Sequence, residues 1–84
     1  MESRVAVIGI VIENSDAAER VNAILHDHAA HILGRMGIPH RGRGINIISI
    51  AIDAPQDVIN TLSGQIGKLP GVSAKTAYSR AFND

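Results

Sequence analysis

The chain has 84 residues, 45% of them hydrophobic and 19% charged, with eight basic side chains balancing eight acidic ones and no cysteine. That length allows one domain, residues 1–84, whose folded form buries only about 60–65% of the surface that its unfolded chain exposes. The zero net charge speaks against a dedicated nucleic-acid binder, and the missing cysteines exclude disulfides, thiolate zinc sites and cysteine-held iron–sulfur clusters.

The opening Met-Glu-Ser-Arg leads straight into a strand-like run, so no secretory signal is expected. No apolar run reaches the roughly 20 residues of a membrane span, and the cytoplasm is the default compartment. Tyr78 and Phe82 are the only aromatics, too few for a nucleic-acid stacking platform.

A first strand is expected from Arg4 to Glu13. It does not alternate apolar and polar residues: Ala6, Ile8, Ile10 and Ile12 fall on one face, Val5, Val7, Gly9 and Val11 on the other. Asn14-Ser15-Asp16 breaks it with side chains that favour turns and caps. Asp16 and Glu19 have capping-box spacing, with Ser15 a competing cap. Ala17, Val21, Ile24, Leu25 and His28 recur at helical spacing, which predicts a helix over Asp16 to His28.

The stretch from His31 to His40 is apolar but interrupted by Gly34, Gly37 and Pro39, the mark of an edge strand. Arg41-Gly42-Arg43-Gly44 reads as a hairpin turn. Ile45 to Asp53 is a second isoleucine-rich strand, with Ile48, Ile50 and Ile52 on one face and Ile45, Ile47, Ser49 and Ala51 on the other. Asp53, Pro55 and Gln56 suggest a capped start to a second helix, striped by Val58, Ile59, Leu62 and Ile66 and stopped at Gly67. A last strand, Val72 to Arg80, alternates as an edge strand should.

The order βαββαβ predicts an α+β, ferredoxin-like sandwich: an antiparallel sheet of order 4-1-3-2 with both helices on one face. The two isoleucine-rich segments become the central strands, and the glycine-, proline- and lysine-bearing ones become the edges. The face away from the helices then displays Val5, Val7, Val11, Ile45 and Ile47. Burying five such side chains gains on the order of 10 kcal/mol, comparable with the roughly 4–15 kcal/mol that association costs. A homodimer or homotetramer that shelters this face is therefore expected, by sheet stacking or edge pairing.

Four histidines offer imidazole nitrogens. His26, His28 and His31 form an H-x-H-x-x-H run that is a candidate metal site, although His26 and His28 point roughly 200° apart on a helix. His40 stands alone. Arg35, Arg41 and Arg43 flank the hairpin as candidate anion binders. Asn14, Ser15 and Asp16, where the first strand meets the first helix, are candidate ligand-binding residues together with Arg35, because backbone N–H groups at a helix start can hold an anion. Helix capping accounts for the same three residues. Glu13 and Asp16 are a possible acid pair at an exposed strand end, but no nucleophile–base pair and no phosphate-cradling loop stands out.

The segment "HILGRMGIPHRGRGINIISIAIDAPQDVINTLSGQIGKLPGVSAKTAYS", above all Gly34-Arg35-Met36-Gly37 and Leu69-Pro70-Gly71-Val72, resembles the iron-only hydrogenase system regulators. "RVAVIGIVIE" and "VNAILHDHAAHILGRMG" fit as well, so the resemblance covers nearly the whole chain. It implies an ACT-like fold, related in shape to the regulatory domain of nickel-responsive repressors, and a regulatory role in transcription or maturation. It brings no cofactor: the nickel site of those repressors needs histidines and a cysteine on the sheet, and this chain has no cysteine and no histidine on its third strand. An ACT-type effector site would lie near Asn14-Ser15-Asp16 at a subunit interface, but Ala17 and Ala18 stand where the ACT loop has its glycine. No helix-turn-helix is present, so direct nucleic-acid binding is not expected. Three functions follow: an oligomeric, non-enzymatic regulator sensing a small molecule; a docking module for a protein partner; or a small ferredoxin-like enzyme using the histidines or Arg35.

Overall fold

The computed structural model describes residues 2–80. Strand β1 runs Ser3–Ile12, helix α1 Ala18–Asp27, strand β2 Ile32–His40, strand β3 Ile45–Pro55, helix α2 Gln56–Gly67 and strand β4 Val72–Tyr78. Single 3-10 turns, Ser15–Ala17 and Ala29–His31, bracket α1. The strands form one antiparallel sheet in the order β2-β3-β1-β4, the expected 4-1-3-2 read from the other edge. The fold is the ferredoxin-like α+β sandwich that the strand pattern predicts.

The core lies between the sheet and the helices. Ala6, Ile8, Ile10 and Ile12 of β1 and Ile48, Ile50, Ile52 and Ala54 of β3 pack against Val21 and Leu25 of α1 and Ile59, Leu62 and Ile66 of α2. The spacing of two along the strands and of three or four along the helices puts these residues on facing surfaces. Every one of them is buried.

Three local expectations are corrected. The start of α1 is capped by neither Asp16 nor Ser15: the Asn14 side chain accepts from the Asp16 N–H at 3.0 Å, and the chain takes a 3-10 turn before the helix. Asp53 caps nothing, because β3 continues to Pro55 and Asp53 stays extended opposite Val5. Gln56 then opens α2 without a capping side chain and instead accepts from Arg4 Nη1 at 3.1 Å. Gly67 ends α2 without the left-handed backbone of a glycine stop, which falls at Gly71 (φ +74°). A Cβ at Gly71 would lie 2.6 Å from the Asn14 Cβ, and the Gly71 carbonyl accepts from the Glu13 N–H at 2.7 Å. This glycine lets the β4 approach pack tightly on the β1–α1 junction.

Candidate functional site

The helices leave most of β2 uncovered. Beyond Ile32 every residue of that strand is exposed. Arg35, Gly37 and Pro39 point to the helix side, opposite Ile50, Ile48 and Asn46 of β3. Gly37 has no side chain and Pro39 is compact, so a groove remains between β2 and α1. Its cavity of about 250 Å³ has Ile12, Ile48 and Ala18 as an apolar lining and Arg35, Asn22 and Asn46 as its polar side chains.

Arg35 Nη2 donates to Asn22 Oδ1 at 2.7 Å, which holds the guanidinium against α1. A guanidinium carries five donors in a rigid fork, so most of them stay available to a carboxylate or phosphate. Asn46 is half-buried and adds an amide to the lining of the same groove. Arg35 and Asn22 also line a second cavity of about 420 Å³ with Leu25, His26, Ala29 and Ile32. The arrangement suits a small ligand with one anionic group and an apolar portion.

The sequence candidates do not form one site. Asn14 and Asp16 line a separate cavity of about 230 Å³ with Ala17, Arg20 and Pro70. There the Asn14 side chain already serves the Asp16 N–H, and the Asn14 backbone carbonyl accepts from the Ala17 N–H at 2.9 Å. Ser15 is exposed in the 3-10 turn beside it. Arg35 does not line this cavity.

His26, His28 and His31 do not converge, and among the described residues no three His, Cys, Asp or Glu side chains are placed to hold a metal. The physical reason is local. The His28 ring Nδ1 lies 2.9 Å from the Ile24 carbonyl one turn back and donates to it. The 3-10 turn then carries His31 away. His26 instead borders the second cavity. Arg41 and Arg43 are exposed in the hairpin turn, closed by the Arg43 N–H on the His40 carbonyl at 3.2 Å.

On the sheet face away from the helices, Val5, Val7, Val11 and Ile47 are exposed and Ile45 is half-buried. The structure adds Met36 and Ile38 of β2, which share that face, and Leu33, extruded by a bulge between Ile32 and Gly34. Asn22, Asn46, Met36 and Ile38 escaped the sequence reading. The signal was there for the last two: Gly34, Met36 and Ile38 share parity within β2. The breaks at Gly34, Gly37 and Pro39 masked it.

These features define a ferredoxin-like α+β unit with an open apolar sheet face and a polar groove beside its edge strand. The TM1266-like profile, described as "Iron-only hydrogenase system regulator, putative", matches residues 4–76, and the chain belongs to that family. Uncharacterized protein TM1266 from Thermotoga maritima is 34% identical, with a TM-score of 0.90 over 94% of this chain and 100% of that one. Two more distant structures share the fold. A formyltetrahydrofolate deformylase from Pseudomonas putida KT2440 is 10% identical (TM-score 0.63) over 87% of this chain and 28% of its own. A protein of unknown function from Galdieria sulphuraria is 11% identical (TM-score 0.64) over 98% and 48%. No curated protein matches. Among the described residues no helix is long and apolar enough to cross a membrane.

Proposed function

We propose that the chain is a non-enzymatic regulator of an iron-only hydrogenase system, which works as a homo-oligomer and responds to a small anionic molecule bound between α1 and β2. The observation that carries this reading is the groove itself: Arg35, fixed by Asn22, lines it together with Asn46 and the apolar side chains of Ile12 and Ile48. A carboxylate on the Arg35 fork and an aliphatic portion on the isoleucines would use both kinds of lining. The family supplies the regulatory context.

The two sides of β2 offer a route for the response. Arg35, Gly37 and Pro39 face the groove, and the alternate residues Met36 and Ile38 face the open side of the sheet. A ligand that fixes the first set biases the second through the same strand. The test is thermal unfolding with inorganic phosphate and with a series of two- to six-carbon carboxylates and amino acids. A hundredfold excess over Kd stabilises the folded state by about 2.7 kcal/mol. The reading expects one class to raise Tm in the native chain and to lose that effect in Arg35→Ala and Asn46→Ala. A flat response to every probe contradicts it, as does an effect that survives Arg35→Ala.

A further inference from the structure

The open face carries unequal side chains in matched rows. Across the sheet these rows read Gly34–Ala51–Val7–Ala77, Met36–Ser49–Gly9–Lys75 and Ile38–Ile47–Val11–Ser73. Met36 projects from β2, 59% exposed. Two strands away in the same row, Gly9 leaves a dimple between Val7 and Val11. In the neighbouring row the sizes reverse: Gly34 is the small residue and Val7 the large one.

From these pairs we infer that two copies stack sheet on sheet about a two-fold axis running along β3, so that each Met36 seats in the partner copy's Gly9 dimple. This arrangement superposes β2 of one copy on β1 of the other and sets each Val7 over a Gly34. Ile47, Ser49 and Ala51 meet their own counterparts on the axis. It deepens the assembly part of the function proposed above and requires no ligand.

Charge disfavours two alternatives to this axis. Moving it between β3 and β1 would press Met36 onto Lys75, trapping an ammonium group against apolar surface. An axis across the strands, centred on the same row, would stack Lys75 on Lys75. Edge pairing is disfavoured as well. The β2 segment carries Arg35 and His40 with no acidic residue, and the β4 edge carries Lys75, the usual guard of a free edge. With the axis on β3, Lys75 stays outside at the rim, and the His40 end of one copy overlies the Glu13 end of the other. Stacked sheets cross at about 30°, which draws the two Asp53 carboxylates apart at the far end, where they stay solvated.

The area suffices. Three strands about 4.8 Å apart and about 33 Å long give a planar footprint near 500 Å² per copy. The total of roughly 1,000 Å² is the threshold of a specific interface, and side-chain relief adds to it. Inside one chain the dimple has room: a Cβ at Gly9 meets nothing closer than the Lys75 carbonyl at 4.0 Å.

Sedimentation velocity over a micromolar concentration series tests the pairing. Gly9→Leu fills the dimple and raises the dimer dissociation constant about tenfold. Met36→Ala raises it alone, but added to Gly9→Leu it restores pairing toward the native value, because the knob and the filled hole compete for one space. Circular dichroism confirms that each variant is folded. If Gly9→Leu does not fold, Met36→Lys on the exposed edge strand takes its place as the disrupting variant, and Lys75→Glu, outside the contact, leaves the constant within about threefold. A monomeric native chain overturns the inference. So do penalties of Gly9→Leu and Met36→Ala that simply add, or a Lys75→Glu effect as large as that of Met36→Lys. Failure of every carboxylate probe in the groove leaves these readings untouched.

Discussion

The two faces of this sheet are built from the same kinds of side chain and end in opposite states. On the helix side Ile8, Ile10, Ile50 and Ile52 are fully buried, while on the other side Val5 and Val7 remain about half exposed, at 45% and 46%. The difference is not one of hydrophobicity. Two helices of ten and twelve residues cover one face, and the described chain holds no further element for the other. In a half-solvated antiparallel sheet the outer face is normally polar. Here β4 follows that rule, with Ser73 and Lys75, and the two central strands do not. The apolar outer face formed by β2, β3 and β1 is the surface on which the proposed assembly rests.

Substitutions on the two faces should separate folding from assembly. The largest loss of stability is expected for Ile50→Ala on the covered face. It opens a cavity in the core between sheet and helices and costs about 2–5 kcal/mol in chemical denaturation, a large share of what a domain of this size possesses. That loss should not depend on protein concentration. Val7→Asp on the open face should do the reverse. It places a charge in the contact, abolishes association in sedimentation, and leaves a folded single chain whose circular dichroism resembles the native spectrum.

Gly71→Ala ranks next, at about 1–3 kcal/mol. Its backbone lies in the left-handed region and the new methyl group meets Asn14, so either the β4 approach or the β1–α1 junction must shift. A fall in Tm with unchanged association constant would place the damage inside one chain. Asn14→Ala removes the acceptor for the Asp16 N–H and costs about 1 kcal/mol. The smallest expected effect is that of Tyr78→Phe. It deletes the hydroxyl that donates to Asn60 Oδ1 at 2.7 Å but keeps the ring under Arg4, 4.3 Å from the guanidinium carbon. An exposed hydrogen bond of this kind contributes about 0.5–1 kcal/mol.

The fold was legible because strand parity and helix period agree along the whole chain. Ile8, Ile10 and Ile12 could only share a face, and β1 and β3 could only be central once Gly34, Gly37 and Pro39 marked β2 as an edge. The open-face residues Val5, Val7, Val11 and Ile47 followed from the same parity. Local starts and stops were less legible. Asp53 has the look of a cap, yet cross-strand pairing with Val5 holds it extended, so tertiary hydrogen bonding overrides the local signal. The groove was legible only at Arg35. Asn22 lies thirteen residues before it and Asn46 eleven after, and only the docking of α1 beside β2 brings the three together. The histidine run illustrates the converse: close spacing in sequence does not amount to convergence when a helix end and a 3-10 turn intervene.

The most direct measurement is the solution mass of the native chain at micromolar concentration. Each subunit weighs 8.9 kDa. A species at twice that mass, which falls to one subunit on Val7→Asp without unfolding, is the predicted result. A stable, folded single subunit in the native protein, with Val7 and Met36 facing water, would contradict it.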